Sequence, residues 1–517
     1  MTTPQARLSV WNALLASVAD EMGIVLGRTG LSPNIRERRD YSCAVFDAGG
    51  EMVAQAAHIP VHLGAMPEAV RAVQHLAPWR EGDVAIVNDP YLGGTHLPDV
   101  SLVAPVFWER EVVAFVSNRA HHADIGGMTA GSMPVSTELF QEGLIIPPVR
   151  LFEAGARNEA LSALILRNVR TPAERRGDFE AQLAALRAGE RRLHALCERY
   201  GPKEVTGQMA ALKEYAEALT RAAIEAIPDG EYRAEDVMEA PDGQLLPIRV
   251  RVEVRGSDIT FDFEGTAPEQ RASLNAVAAV TRSALAYVVR CLLPAEAPSN
   301  QGGFRPIRAL LPEGSLVNAR PQRAVSAGNV ETSQRITDVA LRALAAALPG
   351  RIPAASAGTM SNFTFGGARP DGEPFAYYET IPGGAGGGPA RSGASGIQTH
   401  MTNTLNTPVE AIETNFPVRV WRFELRPGSG GGGRHAGGEG VVKEVEFLGE
   451  ADVSLVSDRH VAGPYGLAGG EAGAPGAAAV IREDGSEEAM GGTWQRHLRA
   501  GERVRIETPG GGGWGRP

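Results

Sequence analysis

The sequence contains few lysines, few cysteines and no excess of positive charge. Only three of its 50 basic residues are lysines, a bias that we attribute to genome composition. The formal net charge is −11 and no basic cluster offsets it, which argues against a nucleic-acid-binding protein. The three cysteines, Cys43, Cys197 and Cys291, are far apart and odd in number. They favour reduced thiols in a cytoplasmic protein over a disulfide framework or a zinc ribbon.

Long apolar runs are also missing from the sequence. No stretch of roughly 18 or more apolar residues occurs, and the N-terminus lacks the charged-then-apolar pattern of a signal peptide. We therefore expect a cytoplasmic protein with no membrane association. The apolar fraction of 43% and the charged fraction of 21% are typical of a globular enzyme. A chain of 517 residues can form about two to four packed units.

Apolar periodicity predicts a mixed α/β fold of the α+β class with several packed subdomains. Helical spacing over residues 5–28 predicts the first helix, and Arg175–Tyr200 and Glu204–Ile227 predict two long helices broken at Gly201. Alternation over residues 232–263 predicts antiparallel strands. We divide the chain into an N-terminal α/β region with the candidate site (1–152), a helical segment (153–230), an α/β region with Gly-rich loops (231–417) and a β-rich C-terminal region (418–517).

Residues 83–143 contain the densest group of candidate functional side chains. The apolar runs Val84–Val87 and Val112–Ser117 predict two strands, and each strand is followed by a turn rich in polar residues and glycine. These turns carry imidazoles and carboxylates, namely Asp89, His96, Asp99, His121, His122 and Asp124. Such side chains on rigid supports are typical of a catalytic metal site.

The spacing within these turns separates the candidates. His96 and Asp99 are three residues apart across a Leu-Pro pair, and a proline turn can bring them to one point. His121 and His122 are adjacent in an extended segment, so their side chains should point to opposite faces and only one should be a ligand. Two imidazoles with one or two carboxylates suit zinc, manganese or iron. The residue types alone leave a metal site and a metal-free pocket cluster as equal alternatives.

Local sequence argues against a ligand-binding role for three other features. His58 and His62 flank Pro60, which argues against a helix, so we interpret both as pocket-wall or core histidines and not as metal ligands. Asp40 lies at a strand entrance beside two arginines, and its local sequence favours an ion pair. The glycine run Gly383–Gly388 has no lysine near it, so we expect a tight loop that lines the pocket floor and not a nucleotide site.

Several longer motifs resemble those of a known family. They are Asn88-Asp-Pro-Tyr-Leu-Gly-Gly-Thr-His-Leu-Pro-Asp-Val, Asn118-Arg-Ala-His-His-Ala-Asp-Ile-Gly-Gly, Glu138-Leu-Phe-Gln-Glu-Gly, Thr402-Asn-Thr-Leu-Asn-Thr-Pro-Val-Glu and Pro509-Gly-Gly-Gly-Gly-Trp-Gly. The chain is similar throughout to the hydantoinase B/oxoprolinase family. Members are B-type subunits of ATP-dependent N-methylhydantoinases, the matching half of 5-oxoprolinases, caprolactamase subunits, and subunits of acetone and acetophenone carboxylases.

The resemblance implies a divalent metal and a partner subunit. In the lactamase members the metal ligands are an N-terminal aspartate, the histidine and aspartate of a His-x-x-Asp turn, and a histidine of the His-His-Ala-Asp motif. The matching residues here are Asp40, His96, Asp99 and His121. Zinc is the first expectation, with manganese or iron as alternatives. The implied partner is the hydantoinase A-type subunit, whose actin-like fold binds ATP and magnesium, so a hetero-oligomer is expected.

The implied reaction is the ATP-dependent opening of a small cyclic amide, such as a hydantoin, 5-oxoproline or a lactam. The partner would phosphorylate the amide oxygen, and the metal in this chain would lower the pKa of its bound water from about 15.7 towards about 7. The resulting hydroxide would attack the activated carbon. His122 and Asp124 are the candidates for orientation or proton transfer, and Asp89 is the third candidate catalytic residue.

Two alternatives to this hydrolase remain open. The chain can instead be a subunit of an ATP-dependent ketone carboxylase, because both branches of the family share these motifs; the acetone carboxylase counterpart is usually a longer chain. It can also be a non-catalytic scaffold for an A-type partner. The intact His96, Asp99 and His121 argue against a scaffold, which needs no ligand cluster.

Overall fold

A computed structural model of the chain describes residues 4–56, 58–62 and 64–517. Within these ranges, nine α-helices and four β-sheets form a mixed fold, which confirms the α+β class. The helices are α1 (Pro4–Thr29), α2 (Pro33–Arg36), α3 (Met66–Val73), α4 (Glu159–Arg167), α5 (Pro172–Tyr200), α6 (Pro202–Glu225), α7 (Ala278–Arg290), α8 (Ser333–Ala347) and α9 (Val409–Asn415). The division of the chain into four regions stays a prediction.

The first sheet contains seven antiparallel strands. They are β1 (Tyr41–Asp47), β2 (Met52–Gln55), β3 (Val84–Val87), β4 (Asp99–Trp108), β5 (Glu111–His121), β6 (Val149–Glu153) and β7 (Ala156–Arg157). Their order across the sheet is β2-β1-β5-β4-β3-β6-β7. Helices α1 and α5 cover one face of the central strands, and α3 covers the other. Because both faces are covered, β1 is buried along nearly its whole length.

Side-chain alternation sorts the residues of this sheet between its two faces. On β1, Cys43 and Val45 pack on the α1 and α5 side, whereas Ala44 and Phe46 pack on the α3 side. Helix α1 is long and apolar enough to cross a membrane by length and composition. Leu15, Met22 and Leu26 of this helix are buried in the core that it shares with α5, whereas Val10 and Ile24 are more than half exposed.

The middle of the chain follows the predicted helical pattern. The break between the two long helices is confirmed at Gly201, which ends α5 with a φ of 83° and begins α6. A second sheet follows and carries its strands in the order β11-β10-β9-β8. They are β8 (Gly230–Glu239), β9 (Leu245–Arg255), β10 (Asp258–Asp262) and β11 (Ile307–Leu310). Only the β10–β11 pair of this sheet is parallel.

Two antiparallel sheets form most of the C-terminal part. The third sheet has the order β13-β12-β16-β19, with β12 (Asn362–Ala368), β13 (Pro374–Thr380), β16 (Ala451–Val456) and β19 (Thr493–Leu498). The fourth has the order β14-β15-β20-β17-β18, with β14 (Val418–Leu425), β15 (Val441–Phe447), β17 (Ala477–Ile481), β18 (Glu487–Met490) and β20 (Arg503–Glu507). The two sheets share one core that is rich in aromatic side chains.

Phe365 lies at the centre of this aromatic core. Its ring is buried and lies 4.7 Å from the Tyr377 ring and 5.5 Å from the Phe447 ring, measured between centroids. We expect Phe365→Ala to lower the free energy of unfolding by about 3–5 kcal/mol, because the cavity removes these contacts. Phe140→Ala, at a ring that is 58% exposed, is the control and should change it by less than about 0.5 kcal/mol. Equal urea midpoints for the two variants would contradict this packing.

Candidate metal centre

Three central strands bring the candidate residues to one edge of the first sheet. In the antiparallel register Tyr41 pairs with Ala120, and Asp99 pairs with His121, so the beginnings of β1 and β4 meet the end of β5. Strand β5 continues four residues beyond Ser117, where the apolar pattern had placed its end. His121 therefore lies in the strand ladder itself, opposite Asp99, and not in a turn after the strand.

Alternation then places the two adjacent histidines on opposite faces, as predicted. His121 faces the α3 side, where it lies near Asp99. His122 faces α5, where its Nε2 lies 3.0 Å from Oε1 of Gln182 and its ring packs on Phe179. Only His121 can therefore contribute to a cluster around Asp99.

The turn before β4 carries His96 and is fixed by close backbone contacts. Gly93 has a φ of 95°, and a Cβ atom there would lie 2.6 Å from Cα of Ala69. A Cβ on Gly94 would lie 2.4 Å from the carbonyl oxygen of Asn88. The Asn88 side chain donates to the Leu97 carbonyl at 2.8 Å and braces the other side of the turn. These glycines are required because the backbone approaches its neighbours too closely for a side chain.

Asp99 is the centre of the cluster. Its Oδ1 lies 3.3 Å from Nε2 of His96 and 3.3 Å from Nδ1 of His121. Its Oδ2 accepts a hydrogen bond from the Thr95 hydroxyl at 2.6 Å and lies 3.2 Å from Nε2 of His62. All of these side chains are buried. His96, Asp99 and His121 each offer a ligand atom, and these atoms lie within 4.8 Å of one another.

His62 contacts the cluster directly, which the sequence interpretation missed. It lines the cavity, in agreement with a pocket-wall residue, but it also reaches Asp99 across 37 residues of chain. Its Nδ1 lies 2.9 Å from the hydroxyl oxygen of Ser42. His58 stays outside, and its Nδ1 accepts a hydrogen bond from the Cys43 backbone N–H at 3.1 Å. Burial lowers the pKa of His58 to about 4.

The charges of the cluster are set by burial and by mutual contact. Burial disfavours the charged form of His96, but Asp99 outweighs it and raises the pKa of this imidazole. At His121 burial prevails and lowers the pKa, despite the contact with Asp99. Burial also acts against ionisation of Asp99, yet His96 and His62 hold the pKa of this carboxyl well below its usual range. The cluster therefore has a buried negative charge at its centre.

Asp40 lies beside the cluster and also makes the ion pair that its local sequence favours. Its Oδ2 lies 3.4 Å from Nη2 of Arg38, whose guanidinium stacks on the Tyr378 ring at 4.7 Å. Asp40 lines the same cavity as Asp99 and His121. Its backbone carbonyl accepts a hydrogen bond from the His121 N–H at 2.9 Å. Its assignment as a fourth ligand stays a prediction.

Two other candidates contact structural partners and not the cluster. Asp124 is buried and forms an ion pair with Arg170 at 2.9 Å, which ties the segment after β5 to the segment before α5. Asp89 accepts a hydrogen bond from the Tyr91 N–H at 2.9 Å and caps a short 3₁₀ turn. Burial raises the pKa of Asp89. Their catalytic assignment, like that of His122, is tested by none of these contacts and stays a prediction.

The cluster opens into a small cavity of about 20 Å³. Its walls come from both halves of the chain: Asp40, Ile59, Val61, His62, Asp99, His121, Asn329, Val330, Met360, Tyr378, Thr380, Met401 and Thr402. The Tyr378 ring stacks on His121 at 4.4 Å. A volume of this size holds one water molecule or one ion, since a water needs about 10–15 Å³. In the described part of the chain, the larger cavities beside Phe304 and beside Tyr91 contain none of the candidate ligands.

The glycine run Gly383–Gly388 does not line this cavity, in contrast to the sequence expectation. Its backbone packs on other glycine-rich chain: the Gly384 N–H donates to the Pro509 carbonyl at 3.0 Å, and the Gly387 N–H donates to the Gly512 carbonyl at 2.8 Å. Side chains would prevent this approach, because a Cβ on Gly384 would lie 1.9 Å from the carbonyl oxygen of Gly438. The run therefore serves backbone packing.

Sequence comparison assigns the chain to a family. The profile of hydantoinase B/oxoprolinase matches residues 5–517. The chain belongs to the hydantoinase B/oxoprolinase family. It is 42% identical over 506 residues to an uncharacterized protein of Methanocaldococcus jannaschii, a match that covers 97% of this chain and 88% of that protein. It is 40% identical to 5-oxoprolinase 1 of Arabidopsis thaliana, a match that covers 98% of this chain but 42% of that protein.

Two solved structures have the same fold. The ATP-dependent caprolactamase from Pseudomonas jessenii superposes with a TM-score of 0.90 and 29% identity, covering 100% of this chain and 93% of that one. An acetone carboxylase superposes with a TM-score of 0.90 but 18% identity, covering 97% of this chain and 74% of that one. The second likeness shows the fold alone. The chain spans about four tenths of the length of the 5-oxoprolinases that it matches.

The residues of the cluster fit a divalent metal. Nε2 of His96 and Nε2 of His121 are buried and have no hydrogen-bond partner. Nδ1 of His96 lies 3.2 Å from the Ser326 carbonyl oxygen, which makes Nδ1 the donor, so the neutral imidazole has its lone pair on Nε2. Unpartnered buried nitrogens are costly in a protein that binds nothing there. Two imidazole nitrogens and one carboxylate are the protein ligands of many catalytic zinc sites.

We expect His96→Ala and His121→Ala to bind zinc at least about 100-fold more weakly than the unchanged protein, since loss of an outer contact alone costs about 10–100-fold. Both variants should keep the fold, because the sheet core does not depend on these rings. Elemental analysis of the purified proteins, with chelator competition for affinity, measures the effect. His497→Ala, at an exposed side chain paired with Asp452, is the control. Full metal retention in both cluster variants would exclude this centre.

Proposed function

We propose that this chain is the metal-binding component of an ATP-dependent enzyme that hydrolyses a cyclic amide. The observation that carries the proposal is the buried group of His96, Asp99 and His121, whose ligand atoms lie within 4.8 Å of one another. A scaffold without chemistry would gain nothing from a buried carboxylate surrounded by imidazoles, because burying such a charge is costly. The hydantoin, 5-oxoproline and lactam rings are the substrate class.

The comparisons favour hydrolysis of an amide over carboxylation of a ketone. The likeness to the caprolactamase extends over the whole chain at 29% identity, whereas the acetone carboxylase has 18% identity over 74% of its length. Curated relatives of 36–40% identity are named 5-oxoprolinases. Caprolactam and 5-oxoproline are both cyclic amides, so the related proteins share one bond type as their target.

The partner in this proposal is a hydantoinase A-type subunit that binds ATP and magnesium. The matched part of the Arabidopsis 5-oxoprolinase is 42% of its length, so most of that chain lies outside the match. We infer that the ATP-dependent step belongs to an A-type component, as the family resemblance implies. Phosphorylation of the amide oxygen by that subunit would remove the amide resonance that makes a cyclic amide a poor electrophile.

In this proposal, residues of this chain hold the metal and keep its ligands in place. A divalent cation, zinc first with manganese or iron as alternatives, supplies a Lewis acid and lowers the pKa of the water that it binds. His96, His121 and Asp99 would hold it, with Asp40 as the fourth ligand. His62 and the Thr95 hydroxyl keep the Asp99 carboxylate in place from its Oδ2 side.

The three other candidate residues are assigned an orienting role in this proposal. His122 fixes the end of β5 to α5 through Gln182, and Asp124 fixes the following segment through Arg170. Asp89 caps the turn that leads to His96. Each contact holds a segment that carries a ligand, which is how groups outside the metal's contact sphere influence a site.

Isotope labelling separates hydrolysis from carboxylation. With the A-type partner, ATP and a cyclic amide in oxygen-labelled water, we expect the new carboxylate of the product to carry one solvent oxygen. With carbon-labelled bicarbonate, we expect no label in the product, because ring opening adds water and no carbon. Mass spectrometry of the product measures both labels. His121→Ala should form no product in either experiment and is the control for residual chemistry.

Carbon label in the product, together with ATP turnover stimulated by a ketone, would contradict the hydrolase proposal and show that the enzyme is a ketone carboxylase. The metal assignment would stand in that case, since both reactions need the cluster.

The division of labour between subunits is tested on the isolated chain. We expect it to bind no ATP with micromolar affinity and to hydrolyse none, because the nucleotide site belongs to the partner in this proposal. Isothermal titration calorimetry with ATP and magnesium measures the binding, and the same titration of the assembled complex is the positive control. Micromolar binding by the chain alone would contradict the proposal.

A further inference from the structure

The motif Glu138–Gly143 has no role in the function proposed so far, although it contains a fully buried carboxylate. Oε1 of Glu142 accepts hydrogen bonds from the Ser136 hydroxyl at 2.6 Å, from the Val325 N–H at 2.9 Å and from the Ser326 N–H at 3.0 Å. In the described part of the chain, no arginine, lysine or histidine nitrogen lies within 4 Å of this carboxylate. Burial raises the pKa of Glu142.

Burying a carboxylate without a neighbouring cation lowers the stability of the fold. The backbone that Glu142 holds contacts the cluster directly, because the Ser326 carbonyl oxygen lies 3.2 Å from Nδ1 of His96. A carbonyl can only accept, so the proton of the neutral imidazole is placed on Nδ1 and the lone pair on Nε2. That Nε2 is buried, makes no hydrogen bond of good geometry and lies 3.3 Å from Oδ1 of Asp99, the neighbouring ligand atom.

We propose that Glu142 is a positioning residue for the metal centre: by holding the N–H groups of Val325 and Ser326, it fixes the carbonyl that keeps His96 in its metal-binding tautomer and orientation. This inference rests on the proposed metal site. Glu142 makes its hydrogen bonds to Ser136, Val325 and Ser326 and acts on His96 through Ser326. Partners that orient a ligating histidine in this way typically contribute about 10–100-fold to metal affinity.

The test compares two substitutions at Glu142 with one at a matched anchor. Glu142→Leu removes the acceptor at similar size, whereas Glu142→Gln keeps an oxygen that can accept from both N–H groups. Glu239 is the comparison site: its carboxylate is half-buried and accepts hydrogen bonds from the His460 and Val461 N–H groups at 3.0 and 2.8 Å, and neither residue lines the cluster cavity. Glu239→Leu therefore reports the cost of losing a loop anchor as such.

Two readouts are used on the full chain, namely zinc affinity by chelator competition and the visible absorption spectrum of the cobalt(II)-loaded protein, which reports ligand geometry. We expect Glu142→Leu to weaken zinc binding by about 10–100-fold and to change the cobalt spectrum. Glu142→Gln should retain most of the affinity and the unchanged spectrum. Glu239→Leu should lower the urea midpoint without altering either readout.

The outcomes distinguish a failure of the positioning role of Glu142 from a failure of the metal centre. Zinc binding by Glu142→Leu equal to that of the unchanged protein would overturn the positioning role and leave the metal centre intact. Absence of zinc, manganese and iron binding by the unchanged protein would overturn the metal centre itself, and the positioning role with it. If Glu142→Leu does not fold, Glu142→Asp replaces it, because the shorter side chain keeps the charge but cannot reach both N–H groups; unchanged zinc affinity in that variant would equally overturn the role.

Discussion

The buried, ionised carboxylate of Asp99 is the constraint on which the rest of the site depends. Removing a charge from water costs several kcal/mol unless donors or cations surround it. Here His96 and His121 approach Oδ1, while His62 and Thr95 approach Oδ2. These residues come from a 3₁₀ turn, a glycine turn and a strand end. The fold must therefore bring separate segments together at one edge of the first sheet.

Much of the fold could be predicted from apolar periodicity. The prediction failed at the end of β5, beside the site, for a physical reason. The pattern ended β5 at Ser117, because polar residues follow, yet the ladder continues to His121. In the sheet, Asn118 donates to the Gln182 carbonyl and Arg119 donates to the Ser101 hydroxyl. Periodicity detects burial against apolar neighbours. It therefore stops where buried positions have polar partners, which is where this site begins.

The site itself was predictable only as far as its motifs extend. Two motifs contain His96, Asp99 and His121, and the family resemblance added Asp40. His62 could not be placed in this way, because its contact with Asp99 joins residues 37 apart and no local rule encodes it. Pro60 argued for an extended or turning segment, and the structure has a one-turn 3₁₀ helix, Pro60–His62, that brings the imidazole to the cluster. Such nonlocal contacts follow from the packed fold and not from spacing.

The same enclosure that makes the burial of the Asp99 charge unfavourable also limits the size of a ligand that the cavity can hold. A cavity of about 20 Å³ holds an ion or a water, whereas pockets for small-molecule ligands usually measure about 300–1,000 Å³. Met360, Tyr378 and Met401 form the wall opposite the first sheet. The Val61 N–H donates to the Met401 carbonyl at 3.1 Å and joins this wall to the sheet side. A cyclic amide, the substrate class proposed above, is larger than this cavity, so in that proposal part of the lining must move before the ring contacts the cluster.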